Sequence, residues 1–364
     1  MLDQCMTDMP SLPGVWCPTC AALPRSCLQH FPPPRGCSMA LCAALEAPCT
    51  LPWKDGSPTS DERSLTAREV VGPDGHQCAG VLVVALSVAR GPEGMPPSDL
   101  RTAASPCGTQ GGIHSLLDGL QRCNMPATFA VPAVIAAISP ATVRAILEHG
   151  HEVAAHGCKH EAVSPLDKGQ EQARLEATTA SLPRIPGQRP AGWYSLPRQR
   201  DPFTVGTVSP HPIDLLSNAG YDYMGNGLAD DIPYYWVTDV QTSRALLTLP
   251  YYYHFNDQYF LMFPPPGLGS GLENPKPFLT NCTLEFDAQY KRGRYFSMVL
   301  HPHIIGFGHR MRLLEAIFSH MQDFPGVWNP TATQCAQYWQ TQYPANATLH
   351  LEPSIWQDHP GSLS

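Results

Sequence analysis

Two histidines four residues apart, His156 and His160, lie in the stretch GHEVAAHGCKHE (150–161), with Gly157 between them and His149 and His151 just upstream. Imidazoles at i and i+4 lie on one side of a helical turn or tight loop, so their ring nitrogens can converge on a single cation. A divalent ion held by two neutral histidines still needs a third protein ligand, usually a carboxylate, and an open position for water. The plainer alternative is that the two rings cap a loop and bond backbone groups. A second pair, His301 and His303, follows the apolar run Tyr295–Leu300. A histidine there suits proton transfer, and a packing role at a strand end is its alternative.

The elements that must position these rings are legible as a rhythm of strand and helix. Val81–Val88 is a continuous apolar run rich in valine, the pattern of a strand buried on both faces. Ile113, Leu116, Leu117 and Leu120 fall at helical spacing within Gly111–Cys123, and Ala127–Val131 is the next strand. Ser139 and Pro140 read as an N-cap and a first helical residue, with Gly150 as the stop after His149. GHEVAAHG then reads as a strand whose histidines arrive at its carboxyl end, the end that carries the active site in a barrel of alternating strands and helices.

Farther on, helices are expected at Gln170–Leu182, Pro210–Ala219, Phe278–Gly293, Arg312–Gln322 and Thr331–Gln342. Strands are expected at Tyr221–Met224, Ala245–Leu249 and Tyr295–Leu300, with Tyr259–Phe263 a short strand or turn. The pattern predicts a parallel sheet or barrel of the α/β class.

Composition narrows the classes. The chain has 364 residues, 43 % of them hydrophobic, enough for one large α/β core. Its 23 basic and 31 acidic residues give a net charge of −8 and a pI near 6.0, with no basic stripe to suit nucleic acid. No apolar run is long enough for a membrane helix, and the N-terminus lacks a secretory pattern, so a cytoplasmic location is expected. Seven of the 13 cysteines fall in the first 50 residues, in a proline-rich stretch without periodicity. Residues 1–65 are therefore expected to be a disordered extension, and 66–364 the working domain. A small zinc site from Cys17, Cys20, Cys27 and His30 is the alternative reading of that stretch.

Four segments in order, ATFAVP (127–132), GHEVAAHGCKHE (150–161), RPAGW (189–193) and MVLHPHIIG (298–306), resemble the polysaccharide deacetylase (NodB homology) family. LEFDAQY (284–290) and HPHIIGFGHR (301–310) are similar to the branch of peptidoglycan-deacetylase-like proteins, allantoinases and cyclic-imide hydrolases. The resemblance implies a distorted (β/α) barrel that hydrolyses a non-peptide C–N bond, most often releasing an N-acetyl group. Carried over residue by residue, it implies that His156 and His160 bind one divalent metal, zinc first among candidates. It further implies that His301 is the general acid and that Arg189 orients the catalytic carboxylate.

This chain departs from the family at the first strand. Ser87-Val88-Ala89-Arg90 stands where the family has its aspartate pair. Glu93 is then the first candidate for the general base or third ligand, with Glu285 and Asp287 behind it, and a metal-free mechanism is the alternative. Plainer roles for these groups are a surface loop for Glu93, a solvated helix face for Glu285 and Asp287, and an ion pair with Asp230 or Asp231 for Arg189. Trp193, Tyr252 and His303 are candidates for substrate contact, since aromatic rings can stack on sugar faces. The expected substrate is a small-molecule or oligosaccharide amide, with no nucleic-acid or membrane partner and with a homo-oligomer left open. The competing reading is an inactive family member that serves as a binding or scaffold module.

Overall fold

The computed structural model describes residues 72–88, 94–101, 104–161, 163, 166–182, 189–194, 212–227, 231–239, 244–251, 255–261 and 275–348. Glu93, Tyr252, Asp230, the Cys17–Cys20–Cys27–His30 group and the expected boundary at residue 65 lie outside these residues. The described residues fall within one compact unit.

A parallel sheet forms the centre. Its strands are β1 (Cys78–Ala85), β2 (Thr128–Val131), β3 (Glu152–Ala155), β4 (Gly192–Trp193) and β5 (Tyr223–Gly227). They continue with β6 (Tyr234–Asp239), β7 (Arg244–Pro250), β8 (Tyr295–Leu300) and β9 (Val327–Trp328). The order is β6-β7-β5-β4-β3-β2-β1-β8, with β9 beside the start of β1. Every pairing is parallel except β6 with β7. An isolated parallel bridge from Asn256 to Val299 of β8 brings the chain after β7 against the far edge. The sheet thereby curls into a distorted barrel.

Sequence and structure agree where burial dictates the pattern. β1 pairs with β8 from Ala79 opposite Tyr295 to Val84 opposite Leu300, and its residues from Gly80 onward are all buried. Pairing sets its span, so it starts and ends three residues earlier than the apolar run suggests, with Leu86 and Val88 buried beyond it. Helix α1 (Gly112–Arg122) buries Ile113, Leu116, Leu117 and Leu120. Ahead of it a π-helical turn, Cys107–Gly111, replaces the expected clean start. Next come α2 (Ala133–Ile138) and α3 (Pro140–Glu148). Ser139 stands at the N-cap of α3, but its carbonyl, accepting from the Thr142 amide, does the work instead of its hydroxyl.

Two expectations differ. Tyr259–Leu261, expected as part of a short strand or turn, are helical, because Asp257 begins a short helix, α6 (Asp257–Leu261), after α4 (Lys168–Ser181) and α5 (Pro212–Asn218). The hairpin strand β6 has no counterpart in the sequence reading, where the alternation of its aromatic residues was not used.

Later helices include α7 (Lys276–Arg292), α8 (Pro302–Ile305), α9 (Gly308–Gln322) and α10 (Ala332–Gln342). Helix α10 is capped by Thr331 and Gln334 in a reciprocal capping box and closes the amino end of the barrel. There the Glu152 carboxylate accepts from Thr128 Oγ1 (2.9 Å), the Tyr223 hydroxyl (2.8 Å) and the Thr333 amide (2.9 Å). A half-buried carboxylate satisfied by so many donors is structural, and it leaves the carboxyl ends of the strands as the place for chemistry.

Candidate active site

Five strands deliver polar residues to that carboxyl end. Ser87 follows β1, His156 follows β3, Tyr194 follows β4, Asp257 follows β7, and His301 follows β8. Ser87, His156, His160, Asp257 and His301 are all buried, with Asp257 at 0 % exposure and His301 at 3 %.

The histidine loop folds tightly. His156 still donates its amide to Val131 O (3.2 Å), the last bond of the strand ladder. The chain then turns at Gly157, whose φ of +72° is open to glycine at little cost. The first amides of α2 seize the turn, Ala133 to Gly157 O (3.0 Å) and Val134 to Cys158 O (2.9 Å). His160 itself is left-handed, with φ +60°, which returns its ring toward His156. The two ring centroids stand 3.7 Å apart.

Hydrogen bonds determine what each ring can offer. His156 Nδ1–H donates to Tyr194 O (3.1 Å), so in the neutral ring Nε2 carries a lone pair. His160 Nδ1 is bonded to Ser87 Oγ. If the serine hydroxyl is the donor, Nε2 of His160 carries the proton. Neither Nε2 has a hydrogen-bond partner. Burial pulls His156 down to about 4, a hydrogen bond to Tyr194 opposes this, and the nearby His301 adds to it. Burial, then the charges of His156 and His301, hold His160 well below the usual histidine range. Both rings are therefore neutral at pH 7.

His301 is held differently. Its Nδ1–H donates to Asp257 Oδ1 (2.7 Å), and its amide donates to Asp257 Oδ2 (2.8 Å). Both carboxylate oxygens are thus used on one residue, which fixes the ring and leaves Nε2 to exchange a proton. Burial pushes the Asp257 carboxyl above its ordinary range, while His301 draws it back. Arg310 braces both supports, donating to Ile304 O (2.6 Å) at the end of α8 and to Leu261 O (3.0 Å) at the end of α6.

The other sequence candidates are placed elsewhere. Arg189 is exposed before β4, with its guanidinium 4.8 Å from the Tyr221 ring and beside Gly220, at the amino end of β5. That is the opposite end of the sheet from the histidines, so it orients no carboxylate there. Glu285 and Asp287 lie on α7, on the outer layer. Glu285 accepts from Gln289 Nε2 (2.7 Å), and Asp287 meets His320 of α9 (2.7 Å). They supply no base to the histidine cluster. Trp193 is buried edge-on against Tyr221 at 5.3 Å and contacts a small cavity shared with Arg174 and Leu175, so it packs β4 against its covering helices. His303 stays near the site, its ring centroid 5.8 Å from that of His301.

Asp257 was missed from sequence. The one available signal was a lone carboxylate in FND, directly after the aromatic run 251–255 and ahead of His301-Pro302-His303. Nothing in spacing links residues 44 positions apart.

The donor set does not suit a tetrahedral divalent site. Its two imidazole Nε2 atoms have no anionic third ligand among the described residues, and the Ser87 hydroxyl is engaged on His160 Nδ1 instead. Among the described residues no group of three His, Cys, Asp or Glu side chains is arranged to hold a metal ion.

A parallel, distorted (β/α) barrel with histidines at its carboxyl strand ends is the NodB-type fold. Residues 89–223 match the family model of polysaccharide deacetylases, so this stretch of the chain is similar to that family. A peptidoglycan deacetylase of Helicobacter pylori is 24 % identical over 242 residues, 59 % of this chain and 79 % of the relative. A peptidoglycan deacetylase-like protein of Gibberella zeae is 23 % identical, over 60 % of this chain and 71 % of its own length. The same fold is seen in a Mycobacterium smegmatis protein described as a polysaccharide deacetylase (TM-score 0.65, 24 % identity, 75 % of this chain and 93 % of that one). It recurs in Puue allantoinase (TM-score 0.63, 21 % identity, 78 % and 99 %). None of the described helices is long and apolar enough to cross a membrane.

Proposed function

We propose that the protein hydrolyses the C–N bond of a small-molecule or oligosaccharide amide without a resident divalent metal, using His301 and Asp257 to move the proton. The observation that carries this reading is the pair of bonds that His301 donates to Asp257, which fixes that imidazole near two neutral ones.

In this scheme His301 Nε2 takes a proton from water as the water oxygen bonds to the amide carbon. Asp257 stabilises the imidazolium that forms. The carbonyl oxygen, becoming an oxyanion, needs a donor in a dry site. His160 Nε2–H provides it when the Ser87 hydroxyl donates to Nδ1. His156, whose Nδ1–H is committed to Tyr194 O, offers its Nε2 lone pair to the second hydrogen of the water. The C–N bond then breaks, and the proton on His301 Nε2 passes to the departing nitrogen. No charged base beyond Asp257 is required.

Serine in place of aspartate also supports a second reading, that of a binding module with the fold but without turnover. The two separate in one experiment. Purified protein is incubated with N-acetylated glucosamine oligomers, peptidoglycan fragments, and cyclic ureides and imides, and released amine, acetate or ring-opened acid is measured. Turnover of any of these by wild type and not by His301→Ala supports the hydrolase. Binding without turnover favours the module.

A further inference from the structure

The left-handed His160 is a costly conformation for a side chain with a Cβ, and such residues persist only where their surroundings hold them. The loop is held from three sides. Two are backbone grips, from Ala133 and Val134 of α2 and from the Met95 amide, which donates to Lys159 O (2.8 Å). The third comes from the residue next to His160. Glu161 is 8 % exposed, and its Oε2 accepts from the Lys159 amide (2.7 Å), reaching back across His160. Its other oxygen, Oε1, has no hydrogen-bond partner and lies 3.7 Å from Arg174 Nε on α4.

A carboxylate is seldom buried this far without a role. Here it accepts from the amide of the residue directly ahead of the strained one, and a helix-borne cation steadies it. The strap that supplies Met95 presses equally close, since a Cβ on Gly94 would lie 2.5 Å from Lys159 O.

We infer that Glu161 is a positioning residue: its bond to the Lys159 amide, steadied by Arg174, keeps His160 left-handed and so keeps its ring against His156 and Ser87. The role rests on the proposed use of His160 in hydrolysis, but it can be tested without any substrate. Glycine adopts the left-handed region freely, so a His160→Gly background removes the need for the restraint.

The test is a double-mutant cycle on the full chain, read as urea midpoints of wild type, Glu161→Ala, His160→Gly and the double variant. Loss of the Glu161 side chain should lower the midpoint in wild type, and by about half that shift or less when residue 160 is glycine, because contacting residues couple. Equal shifts in the two backgrounds, or none in wild type, would overturn the inference. If Glu161→Ala does not fold, folding of the double variant is the expected result, and failure of both overturns it.

A second readout uses whichever amide wild type turns over. Glu161→Ala should lose roughly 10–100-fold in kcat with KM little changed, as expected for a misplaced contact to the reacting group. Glu161→Gln, which keeps an oxygen for the Lys159 amide, should recover most of it; no recovery would contradict the role. Absence of turnover in wild type would defeat the proposed function and leave the stability cycle to decide this point by itself.

Discussion

Asp257→Asn tests the proton-carrying pair most sharply, because it removes a charge and keeps the shape. Asparagine has one acceptor oxygen where Asp257 uses two, on the His301 amide and on Nδ1. If that oxygen keeps the amide, the NH2 group faces Nδ1 and drives the proton to Nε2. His301 then has no lone pair with which to accept a proton from water. The expected loss in kcat is roughly 10²–10⁴-fold, the range for removing a positioned acid–base group, which converts to about 3–5 kcal/mol.

Stability should behave differently. Two charge-assisted bonds are weakened, each worth about 1.5–3 kcal/mol, while the cost of burying a carboxylate at 0 % exposure is relieved. These terms oppose each other, so the urea midpoint should move little in either direction. Initial rates across pH and equilibrium unfolding, measured on the same preparations, separate the two. A variant that keeps more than about a tenth of wild-type kcat, outside the range expected for a lost acid–base group, would refute the assignment.

Acid should destabilise the fold. Buried His156 titrates near 4 against an ordinary value of 6.5. Its folded pKa lies below its unfolded one, so the stability it contributes is complete above pH 6.5 and is lost as pH falls from there toward 4. At 1.36 kcal/mol per unit this amounts to about 3 kcal/mol, visible as a falling urea midpoint across that window; a flat profile would contradict the buried neutral ring. Gly94→Ala should cost roughly 1–3 kcal/mol, because φ is +83° and the new Cβ meets Lys159 O, and a thermal unfolding curve matching wild type would argue against the strap. Glu285→Gln and Asp287→Asn should leave kcat and KM unchanged and shift stability by about 1 kcal/mol or less, since both side chains face helix neighbours on the outer layer. A large kcat loss from either would restore them as catalytic.

What the sequence discloses follows from how local the cause is. The face of α1 and the His156/His160 loop are set by nearest neighbours and appear where residue type and spacing put them, while β1 is legible as an apolar run whose exact span is set by its pairing with β8. Ser87 in place of an acid is also visible along the chain, and the structure adds its consequence: a hydroxyl on His160 Nδ1. The Asp257–His301 pair is invisible locally, because it depends on where the chain after β7 meets β8 through the Asn256–Val299 bridge. Arg189 misleads for the converse reason. Its neighbours in sequence match a motif, yet it precedes β4, and a residue ahead of a parallel strand lies at the far end of the barrel from one that follows it.

The central claim is that His301, held by Asp257, cleaves a C–N bond without a bound divalent ion. It is tested most directly by the rate of amide hydrolysis in chelator-treated wild type and His301→Ala, each with and without added zinc. The account predicts full activity in the chelated wild type, no gain on adding zinc, and a loss of about 10²–10⁴-fold in His301→Ala. Activity that disappears on chelation and returns with zinc, or that survives in His301→Ala, would contradict it.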